Sequence, residues 1–143
     1  MLLPITLTLA AACALVNLWL AVRCARIRIA GKMLHGDGGD PLLARRMRAH
    51  ANFTEYTPII LILIGLVELA IGSQFWLWVV ALVYIVARIA HGFGMDFDRP
   101  TIWRAGGALL TWALTVSLAV TALYVAYSAT RTVPAPPAMA AQT

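Results

Sequence analysis

The chain has 143 residues, enough for one domain, with 62% hydrophobic residues, 12% charged residues and a net charge of +5. At a mean hydropathy of +0.82 it is too apolar for a soluble domain and belongs among integral membrane proteins. The positive charge does not form an aromatic-interleaved basic stripe, which argues against nucleic-acid binding.

Four apolar runs follow in order, at about residues 2–22, 51–71, 75–93 and 105–127. Each is near the ~20 residues that cross ~30 Å of hydrocarbon as a helix. They are continuous rather than alternating, which excludes a membrane barrel. The predicted fold is all-α, an integral membrane four-helix bundle over residues 1–128. A disordered tail rich in Ala, Pro and Thr is expected at 129–143. Ten of the eleven Lys and Arg residues lie in or beside the two connections on one side of the membrane; only Arg131 lies on the other. The positive-inside rule then puts the 1–2 and 3–4 loops in the cytoplasm and both termini outside.

The first run has no basic residue before it, so it reads as an uncleaved first helix rather than a signal peptide. Cys13 and Cys24 stand ~16 Å apart along its axis, too far to pair. The connection at 23–40 begins basic and ends in His35, Gly36, Asp37, Gly38, Gly39 and Asp40. So many glycines read as a flexible loop, not a metal site. Asp40 can cap the second helix, with Pro41 in its first turn.

The second helix enters lipid through RAHANFTEYTP at residues 48–58. At 100° per residue Arg48, Asn52 and Glu55 share one narrow face, with Tyr56 at its edge. Ionisable groups at membrane depth are costly unless paired, so they mark a cavity or functional path. Snorkelling to the interface suits Arg45 and Arg46 instead. Pro58 removes the hydrogen bond to the Thr54 carbonyl inside the helix. Glu68, ~200° from Arg48, is expected to reach headgroups or a neighbouring helix.

The short connection at 72–74 makes helices two and three an antiparallel hairpin, with Trp76 and Trp78 in the outer aromatic belt. The third helix ends in a second polar stripe, Tyr84, Arg88, His91 and Met95, on one face. Arg88 lies about 9 Å inside its helix end and Glu55 about 7 Å inside its own, which predicts an Arg88–Glu55 pair or a ligand shared between them. Arg104 opens the fourth helix, where Gly106, Gly107 and Ala108 permit close helix contact.

The motif at 48–58, read as R-A-x-x-N-x-x-E-Y-x-P, and the segment YIVAR at 84–88 resemble the MAPEG family of membrane-associated proteins in eicosanoid and glutathione metabolism. The likeness covers most of residues 20–110. It implies a homotrimer of four-helix subunits that binds glutathione between neighbours near the cytoplasmic face. Matched position by position, Arg48, Asn52, Glu55 and Tyr56 correspond to glutathione-binding residues of helix two. His50 matches a position that contacts the adjacent subunit's glutathione. Arg26, and next to it Arg23, resemble the neighbour's basic contribution. Arg104 resembles the arginine that activates the thiol, with Arg99 as the substitute if the loop register differs. His91 and Met95 stand where leukotriene-C synthases have two tyrosines; His91 can still donate a hydrogen bond and Met95 cannot. Arg88 and His91 complete the expected binding set.

The chemistry agrees with the resemblance. Arginines match the two carboxylates of glutathione, Glu55 its amine and Asn52 its peptide amides. A guanidinium near the sulfur favours the thiolate, whose free pKa is ~8.5. Two readings of function follow. One is a glutathione transferase or peroxidase of the bacterial inner membrane, with the site on the cytoplasmic side and lipophilic electrophiles arriving from membrane lipid. The other is a non-catalytic scaffold that binds lipid or glutathione. Arg104 favours the first and Met95 the second. A small multidrug transporter is disfavoured, because residues 2–22 hold no acidic residue.

Overall fold

The computed structural model describes residues 2–131, which form four helices: α1 (Pro4–Ala30), α2 (Pro41–Ile71), α3 (Phe75–Gly94) and α4 (Ile102–Arg131). All four are long and apolar enough to cross a membrane. They run up and down in sequence. α1 and α4 never meet and flank the α2–α3 pair from opposite sides.

The core is a set of one-sided stripes. On α1, Ile5, Leu9, Cys13, Val16 and Leu20 recur every three or four residues and are buried. Phe53, Ile60, Ile64 and Val67 of α2 and Leu77, Ala81 and Tyr84 of α3 meet them. Leucines on the opposite faces, such as Leu15, Leu18, Leu82 and Leu109, are exposed. In lipid such exposure costs nothing, so burial follows packing rather than hydrophobicity. Cys13 and Cys24 are both free and buried, as their spacing required.

Helix boundaries outrun the apolar runs. α1 continues to Ala30, so the first connection is residues 31–40 rather than 23–40. Basic residues end a membrane span but not a helix, and Arg and Lys are good helix formers. The Asp40 carboxylate accepts from the Leu42 and Leu43 amides at 2.8 and 2.9 Å, and Pro41 opens α2. α2 runs unbroken through Pro58. α4 reaches Arg131, three residues into the stretch read as a tail. The rest of that expected tail lies outside the described residues.

Two polar clusters tie the ends of the bundle. At the end holding the α1 N-terminus, Glu68 is buried and its carboxylate accepts from the Ile5 amide (3.0 Å), the Thr6 amide (2.9 Å), the Thr6 hydroxyl (2.6 Å) and the Ser73 hydroxyl (2.7 Å). Leu3, the residue before α1, has no side chain to cap it, so α2 supplies the cap from across the bundle. Of the two destinations expected for Glu68, the neighbouring helix is the one it reaches.

At the other end Asp96 of the 3–4 connection gathers Arg23 of α1 and Arg46 of α2. The Arg46 pair is two-pronged, at 3.0 and 3.3 Å. Arg45 reaches Asp98 at 2.9 Å. Arg45 and Arg46 are therefore not free to snorkel; loop carboxylates close by hold both side chains.

Candidate functional site

The site is built where α2, α3 and the start of α4 converge beside that clasp. A hydroxyl pair sets the register of α2 against α3. The Thr57 hydroxyl donates to the Phe53 carbonyl at 2.6 Å, so the Tyr84 hydroxyl donates to Thr57 at 2.7 Å. Four residues further along α3, Arg88 donates from Nη2 to Asn52 Oδ1 at 2.8 Å and from Nη1 to the Thr111 hydroxyl at 3.2 Å. Arg88 is 1% exposed, and its Nε has no partner. No carboxylate among the described residues pairs with it.

That geometry overturns the expected Arg88–Glu55 pair. The antiparallel contacts 57–84 and 52–88 place Glu55 opposite residues 85–86. Depth measured from the ends of the apolar runs misled, because Asn52 and Glu55 lie only about 4.5 Å apart along α2 and such a measure does not separate them. Glu55 turns instead to Arg48, at 3.4 Å, on an exposed face. Their pairing agrees with the shared face at i and i+7.

A cavity of about 420 Å³ opens in front of Arg88. Its wall includes Arg48 and Asn52 from α2, His91 and Met95 from the end of α3, and Thr101 and Arg104 around the start of α4. Four of the nine expected site residues, Arg48, Asn52, His91 and Arg104, thus come together. Arg88 stands behind this wall and holds Asn52 rather than lining the cavity. Glu55 neighbours it through Arg48. The Tyr56 hydroxyl accepts from Trp112 Nε1 at 2.9 Å, joining α2 to α4 outside the cavity.

The remaining expected residues lie elsewhere. His50 lines a separate recess of about 250 Å³ with Cys24 and Arg28, and its Nε2 is 2.8 Å from Asn17 Oδ1. Arg26 is exposed on α1. Arg23, the second match for that role, is buried. It donates to the Gly92 carbonyl at 3.0 Å, pairs with Asp96 and stacks 4.6 Å over Trp19. Its charge is spent inside the subunit, which removes it as a contribution to a neighbour. Arg99 is exposed and does not line the cavity, whereas Arg104 does.

Arg104 is seated through its backbone. The Thr101 hydroxyl accepts from the Arg104 amide at 3.2 Å and donates to the Gly94 carbonyl at 3.2 Å, capping α4. The Arg104 carbonyl accepts from His91 Nδ1 at 3.0 Å. The close approach of α4 to α3 needs Gly107, where an added Cβ would stand 2.6 Å from the Ala87 carbonyl oxygen and 2.8 Å from His91 Cβ. The Arg104 guanidinium itself has no partner among the described residues.

Thr101 and Thr111 were not singled out from sequence, since a threonine beside an apolar run carries no distinguishing pattern. Asp96 carried a usable signal: with Asp98 it is an acid in a short connection on the side of the membrane that holds ten of the eleven basic residues.

A four-helix membrane bundle with a cation-lined cavity at one end, formed by the motif at 48–58 and the start of the last helix, is the class these observations define. The chain belongs to the MAPEG family, whose sequence pattern matches residues 6–124. Over 88 residues it is 32% identical to the inner membrane protein YecN of Escherichia coli K12, and equally to YecN of E. coli O6:H1 strain CFT073. The aligned stretch spans 61% of this chain and 66% of the relative, just under two thirds of the relative's length.

Proposed function

We propose that this protein binds glutathione in the α2–α3–α4 cavity and activates its thiol for transfer to a lipophilic electrophile, or for reduction of a lipophilic peroxide. The observation that carries this reading is the surplus of positive charge and hydrogen-bond donors at the cavity. Arg48 and Arg104 line it, and the uncompensated Arg88 stands behind it. Asn52 Oδ1 is occupied by Arg88, so the amide turns its NH₂ outward. Such a wall lacks an anion, and glutathione supplies two carboxylates and, on ionisation, a thiolate. Membership of the MAPEG family supports the same ligand.

The assembly in this reading is a homotrimer. His50 and Arg26 lie away from the cavity of their own chain, as residues serving a neighbour's site would. The inner-membrane setting of the E. coli relatives supports the same location here, and the positive-inside rule turns the cavity to the cytoplasm. The non-catalytic scaffold stays in play through one observation: Met95 is buried against the cavity and gives the sulfur no hydrogen-bond donor.

Calorimetry with glutathione on the detergent-solubilised protein tests binding. Arg48→Ala is expected to weaken it by about 1.5–3 kcal/mol, the range for a hydrogen bond to a charged group. Arg104→Ala is expected to keep most of the affinity and lose the ultraviolet thiolate absorbance. Unchanged binding in Arg48→Ala would remove the cavity as the glutathione site. Binding by the parent without any thiolate signal would favour the scaffold.

A further inference from the structure

We propose that His91 is the proton acceptor of this site, taking the thiol proton on Nε2 while Arg104 steadies the sulfur. The inference rests on the glutathione reading above and gives one of its residues a catalytic task. It begins with a hydrogen bond whose direction is fixed by chemistry. His91 Nδ1 lies 3.0 Å from the Arg104 carbonyl oxygen. A carbonyl only accepts, so Nδ1 carries the hydrogen, and in the neutral ring Nε2 then carries the lone pair. The donation expected of His91 toward a ligand is therefore already spent at Nδ1, and the ring offers the cavity an acceptor.

That acceptor is open. Nε2 makes no hydrogen bond among the described residues, and it is not among the polar atoms sealed away from the surface. The ring belongs to the cavity wall although the residue is 5% exposed. The other polar side chains on that wall cannot take a proton. Arg48 and Arg104 are cations, Asn52 presents its NH₂, and the Thr101 hydroxyl is occupied on both sides. A bound thiol thus meets many donors and one basic nitrogen.

The charged groups around the ring are cations from all four helices, two of them paired with acids, Arg48 with Glu55 and Arg23 with Asp96. Arg88 is one turn back on α3, Arg104 stands on α4 and Arg48 on α2, with Glu55 paired to Arg48. From α1, Arg23 reaches the same stretch of α3 at the Gly92 carbonyl. In the proposed step the S–H bond breaks, its electron pair stays on sulfur and the proton joins Nε2. The net charge of the site is unchanged, and a thiolate–imidazolium pair replaces two neutral groups. When the thiolate attacks an electrophilic carbon bearing a leaving group, the S–C bond forms and the leaving group departs with its bonding pair. The imidazolium then returns the proton to the leaving group or to water. The same contact to the Arg104 carbonyl ties the acceptor to the backbone of the thiolate-stabilising residue, so the two move together.

Counting protons tests this. Glutathione binding is followed by calorimetry in buffers of different ionisation enthalpy, alongside thiolate absorbance, at neutral pH. The parent is expected to form thiolate without releasing a matching proton to buffer, because the proton stays on His91. In His91→Asn the amide NH₂ stands where Nδ1 stood and can keep the Arg104 contact, but no basic nitrogen remains. This variant is expected to bind glutathione and either form no thiolate or release one proton for each thiolate formed. Conjugation to a chlorinated aromatic is expected to fall about 100-fold or more. A parent that releases one proton per thiolate, or binds without forming thiolate, overturns the proposal while leaving glutathione binding intact. So does His91→Asn with the parent's proton count and rate. A parent that takes up no glutathione overturns the proposal together with the reading beneath it. Should His91→Asn not fold, the parent's proton count decides alone.

Discussion

Glu68 and Arg88 are both buried to 1% exposure, at opposite ends of the same bundle, and their surroundings could hardly differ more. The carboxylate of Glu68 receives four hydrogen bonds, two of them from the open start of α1. Its charge is matched by a helix terminus and needs nothing from outside. Arg88 has two neutral partners, an idle Nε and no carboxylate. A buried charge that is fully met holds a fold together; one left partly unmet beside a cavity is, in the reading proposed above, what a bound anion would complete.

Breaking the met charge should have the largest effect, and on folding alone. Glu68→Ala strands the Ile5 and Thr6 amides together, and is expected to cost about 3–5 kcal/mol of stability, combining bonds worth about 1.5–3 kcal/mol each that do not add fully. Denaturant titration in detergent measures it, with glutathione affinity unchanged in whatever stays folded. A loss of affinity without a loss of stability would erase the contrast.

Arg88→Met should behave in the opposite sense. Removing an incompletely paired buried cation relieves its desolvation, so the fold is expected to hold. Asn52 is then free to turn, and glutathione binding is expected to weaken about 10- to 100-fold, equivalent to about 1.4–2.8 kcal/mol. Calorimetry and the same titration, run in parallel, would separate the two effects.

Gly107→Ala tests whether the cavity depends on the closeness of α3 and α4. Overpacking of this kind commonly costs 1–3 kcal/mol, and about 1–2 kcal/mol is expected here. The thiolate signal should fall with it, because the added methyl meets His91 beside the Arg104 carbonyl. Tyr56→Phe should do least. It removes one partly exposed bond to Trp112, worth about 0.5–1 kcal/mol, and leaves the cavity wall complete.

The four spans, the Asp40 cap and the short α2–α3 hairpin were legible because composition and local turn chemistry decide them. So was the family, through the motif at 48–58. The partner of Arg88 was not legible, since helix register depends on side chains facing each other across the bundle. A single-helix wheel placed Asn52 and Glu55 on one face and could not say which of them α3 would meet. Arg45, Arg46 and Arg23 were misread for a related reason. The first two were weighed against the membrane and the third as a contribution to a neighbour's site, while the acids that engage them lie some fifty to seventy positions away in sequence. The direction of the His91 bond was equally hidden, being set by a backbone carbonyl that no residue identity announces.

Both anchors of residue 104 engage its main chain, through Thr101 at the amide and His91 at the carbonyl. Neither of them reads the side chain. The seat would hold a lysine, a glutamine or a serine as firmly as an arginine, so the side chain at this corner can be exchanged by one codon without rebuilding the frame. With Thr101 and His91 in place, the charge this corner presents to the cavity is set by position 104 alone and can change without moving the helices.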